Sequence, residues 1–154
     1  MRLWRRFADR VGAEDGTASL EFITAGMILL LPLVYLVLTM SALQAASLAV
    51  EGAARQAVRV YVQAPDTRSA EAEADRAIRF ALADYGIDSS SASVSISCSP
   101  RARDCLQRQA AVTISVEVSV GLPFVPSALS VGGPAAVPIR STATERVSRF
   151  GGAP

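Results

Sequence analysis

Residue types that do chemistry are sparse in this 154-residue chain, and they gather in two places. One is a cysteine pair, Cys98 and Cys105. The other is the stretch Glu14-Asp15-Gly16-Thr17-Ala18-Ser19-Leu20-Glu21-Phe22, which ends on a carboxylate and an aromatic ring at the mouth of a long apolar run. Two thiols this close can oxidise to one disulfide if they lie outside the cytoplasm. A structural zinc takes four nitrogen or sulfur ligands, and the chain has two Cys and no His, so no metal is expected. The cysteines also stand further apart than in a redox motif. The lack of His removes the commonest general base, and there is no Gly-x-Ser-x-Gly nucleophile pattern. The chain therefore reads as a non-enzyme without a cofactor. Taken alone, Glu21 is the last polar residue before the apolar run.

The element that must position these residues is that run. Residues 22–50 contain no charged side chain. A spanning helix needs about 20 mostly apolar residues, and Phe22 to Met40 meets that need alone. From Ser41 to Val50 the composition shifts to Ala, Ser and Gln, as expected of a helix leaving lipid. Arg2, Arg5, Arg6 and Arg10 precede the span, and only Arg55 and Arg59 follow closely. The positive-inside rule then puts the N-terminus in the cytoplasm and the C-terminal domain outside, as a single-pass membrane protein. A cleaved secretory signal peptide is the alternative, but its apolar core is shorter, about 7–15 residues. Nothing halts the helix at the membrane edge: Ser41 to Val62 has no Pro and one Gly, Gly52. Ala45, Ala49, Ala53 and Ala57 recur every fourth residue as a helix-packing face of small side chains, which permits close approach. Leu43, Val50, Ala54, Val58 and Tyr61 form a second apolar face. The stop is Gln63-Ala64-Pro65-Asp66. A helix over residues 17–62, with its transmembrane part at about 22–40, would be on the order of 70 Å long, kinked at Pro32.

Joined to Gly16, Glu21 acquires a sharper meaning. A Gly, four residues, then Glu-Phe and an immediate apolar run, all behind a basic leader, resembles the processing site of type IV prepilins and their relatives. The resemblance implies that a prepilin peptidase cuts between Gly16 and Thr17, that residues 1–16 are the leader, and that Glu21 is the fifth mature residue. A physical reason fits this spacing. Cleavage creates an ammonium group on Thr17, and first and fifth residues share a helix face. An ion near lipid is costly unless paired. Glu21, with Phe22, would thus set subunit register during assembly. A Gly before the cut has no side chain to obstruct a tight site. Gly-Thr-Ala-Ser-Leu-Glu-Phe together with Pro32 is similar to the start of TadE-like minor pilins of tight-adherence (Flp) pili. The motif part of that likeness covers residues 12–60. The commonest prepilin pattern has Phe where Thr17 stands, and basic residues where Glu14 and Asp15 stand.

Residues 63–150 form the remaining domain of roughly 100 residues or less, a size that folds alone with modest stability. Ser69 to Tyr85 reads as a helix capped by Ser69 and ended by Gly86, with Ala74, Ile78, Ala81, Leu82 and Tyr85 as its apolar stripe. Val94, Ile96 and Cys98 alternate with serines as a strand. Val112, Ile114, Val116, Val118 and Val120 alternate with polar residues as a half-buried strand. Pro100, Arg101 and Arg103 mark an exposed loop between them, which a Cys98–Cys105 disulfide would tie down, contributing about 2–3 kcal/mol. Gly121 to Pro126 and Gly132-Gly133-Pro134 are turns. Val137 to Val147 suits a third strand, with Ile139, Ala143 and Val147 inward, and residues 151–154 read as a flexible tail.

These elements give an α+β fold: a long N-terminal transmembrane helix running into a small pilin-like domain with a second helix and an antiparallel sheet of three or more strands. A net charge of +1 gives no electrostatic case for nucleic acid. The resemblance implies membrane lipid, a prepilin peptidase, other pilins and minor pilins, and an inner-membrane pilus assembly platform as partners. It implies a role in pilus assembly or cell adhesion, with incorporation into the pilus. An uncleaved, membrane-anchored extracytoplasmic binding protein and a secretion-system pseudopilin are the alternatives.

Overall fold

The computed structural model describes residues 18–100, 105–122 and 136–150. The leader with Gly16, and also Thr17, Arg101, Arg103, both Gly/Pro turns after Leu122, and the tail 151–154 lie outside the described residues. Helix α1 spans Ala18–Tyr61 and α2 spans Thr67–Ala83; a single 3₁₀ turn, Ser89–Ser91, leads into strand β1, Ser93–Ser99. Strands β2, Ala111–Gly121, and β3, Ala136–Arg146, complete an antiparallel sheet of order β1-β2-β3. The fold is α+β. The chain divides into two compact units, Met1–Thr39 and Met40–Pro154, and α1 belongs to both.

In the first unit every described side chain from Ala18 to Leu38 is exposed. The helix continues on both sides of Pro32. That proline has no N–H to give the carbonyl four residues earlier, so one rung of the helical ladder is missing there.

The second unit has one apolar core. Ala49, Val50, Ala53, Ala54, Ala57, Val58 and Tyr61 of α1 cluster with Ala70, Ala74, Ile78 and Leu82 of α2 and with Val112, Ile114, Val116 and Val118 of β2. The period-two pattern of β2 produces this directly, because alternate residues of a strand face one side. Full burial of Leu82 or Ile114 contributes about 1.5–3 kcal/mol each. Ile139 and Ala143 of β3 are half-buried against the core, and Val147 is buried just past the strand end. There its N–H donates to the Ala110 carbonyl at 2.9 Å.

Two details of α2 differ from the sequence-based expectation. Its N-cap is Asp66, not Ser69: the Asp66 carboxylate accepts from the Ser69 N–H and from the Ser69 hydroxyl, both at 2.9 Å. A carboxylate in extended backbone three residues ahead satisfies an otherwise orphan N–H of the first turn. Tyr85 lies beyond the last helical turn and is 49% exposed, so it does not extend the buried stripe, which begins instead at Ala70. Gly86 does end the helix, with φ +69°, and the Ile87 N–H returns to the Leu82 carbonyl at 3.0 Å. A left-handed residue at this place suits glycine best.

Gly52 and Ala53 are adjacent in α1 but differ in surroundings. A Cβ on Gly52 meets nothing within 4 Å, whereas Ala53 is fully buried. Gly52→Ala should therefore stabilise the fold by about 0.5–1 kcal/mol, and Ala53→Leu should destabilise it by about 1–3 kcal/mol through overpacking. Urea unfolding of the full chain in detergent would read both signs. Asp66 and Asp88 hold their carboxyls below the ordinary carboxylate range, chiefly through the backbone N–H groups of Ser69 and Ser90 respectively. A depressed carboxyl pKa adds stability above about pH 4, lost as pH falls through the folded value. The double variant Asp66→Asn, Asp88→Asn should thus lose less stability than the parent between pH 7 and pH 3 in the same unfolding assay.

Candidate membrane and assembly segment

The described part of the segment begins with the first turn of α1, where Glu21 sits exposed. A carboxylate there faces the positive end of the helix dipole, which favours it. The next residue, Phe22, is 79% exposed. Gly16 and Thr17 lie outside the described residues, so the spacing of Glu21 to residue 17 rests on the sequence.

Beyond Phe22 the helix carries apolar side chains on every side. Ile28, Leu29, Leu31 and Leu36 project around the whole circumference, and all are exposed. Water does not tolerate so large a contiguous apolar surface. A helix that is apolar all round belongs in lipid or among other helices. One helix near the N-terminus is long and apolar enough to cross a membrane, and none of the window that qualifies is buried within the chain. Its polar groups are handled locally: the Thr39 hydroxyl donates to the Tyr35 carbonyl at 2.8 Å. Such internal pairing is what a backbone-rich, water-free medium demands.

The small-residue face lies further along. Ala49, Ala53 and Ala57 are fully buried and Ala45 is half-buried, while Ala46 is buried as well. The two apolar faces read from the sequence merge into one, because Val50, Ala54, Val58 and Tyr61 are buried beside the alanines. This stripe packs within the chain, in the same cluster as the inner residues of β2. Short side chains let a helix lie close to a sheet, so the valines of β2 reach it. Glu51 and Arg55 form an exposed ion pair at 2.5 Å on the opposite side.

Cys98 and Cys105 are joined, with Cα atoms 5.5 Å apart, a separation within the usual range for a disulfide. The bond ties the end of β1 to the turn before β2, and Cys105 packs against the core. Among the described residues, no group of three or more His, Cys, Asp or Glu could hold a metal ion.

Two features were not legible from residue types alone. The outer face of the sheet is a grid of hydroxyls: Ser95, Ser115 and Thr142 lie across from one another, as do Ser97, Thr113 and Thr144. The Thr113 and Thr144 hydroxyls bond at 2.8 Å, and Thr142 donates to Ser115 at 3.2 Å. The alternating serines were the signal for it, but the register was needed to align them. The second feature is the exposure of Val94 and Ile96 on β1, which faces the core side yet lies at the sheet edge. No protein-family model, curated protein or solved structure matches the chain.

Membrane insertion of α1 can be tested by placing a charge mid-span. Leu30→Arg should cost about 2.5–3.5 kcal/mol of insertion free energy. A glycosylation reporter of translocation should register that loss, while Ala45→Arg, beyond the apolar run, should change it far less.

Proposed function

We propose that this chain is a TadE-like minor pilin of a tight-adherence type IV pilus, cut by a prepilin peptidase after Gly16 and assembled through α1. One observation carries the reading. A carboxylate, Glu21, stands in the first turn of a helix whose next twenty or so side chains are apolar and unburied, and Gly16-Thr17 precedes it at the spacing that puts a new amine on its face. The exposed run needs either lipid or the corresponding helices of other subunits, and a pilin uses both in turn. In the membrane the run sits in hydrocarbon. In a filament it packs against neighbouring helices, and the Glu21 carboxylate neutralises the ammonium group of an adjacent subunit. That pairing fixes the axial offset, because an unpaired ion in an apolar bundle is costly.

In this reading the N-terminus begins in the cytoplasm, with the basic leader, and the second unit lies outside. The oxidising exterior accounts for the Cys98–Cys105 bond. The chain does no catalysis of its own: peptidase and assembly motor are other proteins, and the second unit is displayed for contact with minor pilins or a surface.

N-terminal sequencing of the protein from a host with an active prepilin peptidase should give Thr17 as the first residue; a chain still starting at Met1 would overturn the reading. Gly16→Ala should slow processing. Glu21→Ala should leave cleavage intact and reduce pilus assembly, and unchanged assembly would remove the role given to Glu21.

A further inference from the structure

The two edges of the sheet are built differently. Strand β3 carries the features that keep an edge from pairing with another chain: Pro138, which lacks an N–H, and the charged residues Arg140, Glu145 and Arg146. Arg140 is further tied across the strand by its ion pair with Glu117. Strand β1 has none of these. From Ser89 to Pro100 the chain carries no charge, and β1 itself contains no proline. Its outward side has no strand beside it among the described residues, since the sheet order is β1-β2-β3. Its core-side residues Val94 and Ile96 are 42% and 37% exposed, although their opposites on β2, Val116 and Ile114, are fully buried.

We propose that β1 is a pairing edge that joins two copies of this chain, antiparallel, about a two-fold axis at Ile96. The strand reads Ser-Val-Ser-Ile-Ser-Cys-Ser and has the same polar and apolar pattern in both directions from Ile96. Antiparallel pairing about that residue sets Val94 opposite Cys98 of the second copy, Ser95 opposite Ser97, Ser93 opposite Ser99 and Ile96 opposite itself. All apolar side chains then fall on the core side and all serines on the hydroxyl face. A register shifted by one residue would mate hydrogen-bonding with non-bonding positions and set Ser against Val, so it is excluded. Charge selects the occupant. In a contact between copies each group near the axis meets its own kind, and a charged edge would repel itself; β1 is neutral throughout. Pairing would extend the three-stranded sheet of each copy into one of six, and it would cover Val94 and Ile96 with the equivalent residues of the second copy. A seven-residue ladder alone falls short of the roughly 1,200 Å² of a standard stable interface, so the pair is weak and forms where copies are crowded, as on one membrane.

The test uses the full chain in detergent. Both native cysteines are in the disulfide, so Ile96→Cys supplies the only free thiol. A short bismaleimide should cross-link it into dimers, and Thr142→Cys on β3 should not cross-link. Adding Ser95→Lys and Ser97→Lys to the Ile96→Cys chain sets Lys opposite Lys twice and should lower the cross-linked fraction about tenfold. Ser95→Lys with Ser97→Glu instead sets Lys opposite Glu twice and should restore it. This reversal depends on the register, and general loss of folding would not produce it. Four results would overturn the proposal: no cross-link at residue 96, equal cross-linking at residue 142, no effect of the two lysines, or the same behaviour in both charge variants. Coverage of the edge by another segment of this chain, or by a different protein, would appear as the first of these.

Discussion

The packing of the α1 alanine and valine stripe on the inner residues of β2 holds the second unit together. Three strands give only one strand with neighbours on both sides, and only β2 buries its whole inner row, Val112 to Val118. A sheet this narrow must be covered by elements that come close. Ala49, Ala53 and Ala57 make that possible, since a longer side chain at any of them would lift the helix off the valines. Helix α2 adds Ala70, Ala74, Ile78 and Leu82 to the same cluster. Its four buried residues recur every fourth position, a narrow stripe suited to lying over a sheet already half covered. The edges of the sheet follow from the same limit. Two helices cover β2 fully, and Val94 and Ile96 on β1 are left partly in solvent.

The same helix obeys opposite rules in its two parts. Up to Leu38 its side chains are apolar and exposed all round. From Ala46 onward one stripe is buried, and the other side carries Glu51, Arg55 and Arg59. A helix in lipid needs no polar face, because its surroundings are as apolar as its side chains; a helix on a sheet in water needs one. The change of rule falls near Ser41, where leucine gives way to alanine and serine.

Much of this was legible in the sequence because it rests on period and composition. The long helix, the strand alternation of β2 and the α+β class depend on patterns that repeat over many residues, so one atypical residue does not spoil them. The N-cap of α2 was misread because Ser69 and Asp66 are both good capping residues, and only the backbone shows which stands in extended conformation. Tyr85 was misread because its spacing fits the stripe while the helix ends before it. The exposure of β1 was not readable at all: alternation tells which face a residue takes, but not how far the covering helices reach. For the candidate site, sequence alone supplied Gly16, Thr17 and Glu21. The structure adds that the apolar run beyond Glu21 packs against nothing else in the chain.

The division of labour along α1 has a consequence for processing. The first buried residue among those described is Ala46, thirty positions beyond Gly16. No residue of the core cluster precedes Ala49. Cleavage after Gly16 therefore removes nothing that the second unit uses to fold, and neither would a move of the apolar run from lipid into a bundle of like helices. Both changes act on side chains that the fold leaves bare. Stability resides in the alanine stripe, the β2 valines and the Asp66 cap, while insertion and assembly reside in the stretch from Gly16 to Met40. A chain so divided can change its surroundings at one end without unfolding at the other, as a subunit that passes from membrane to filament must.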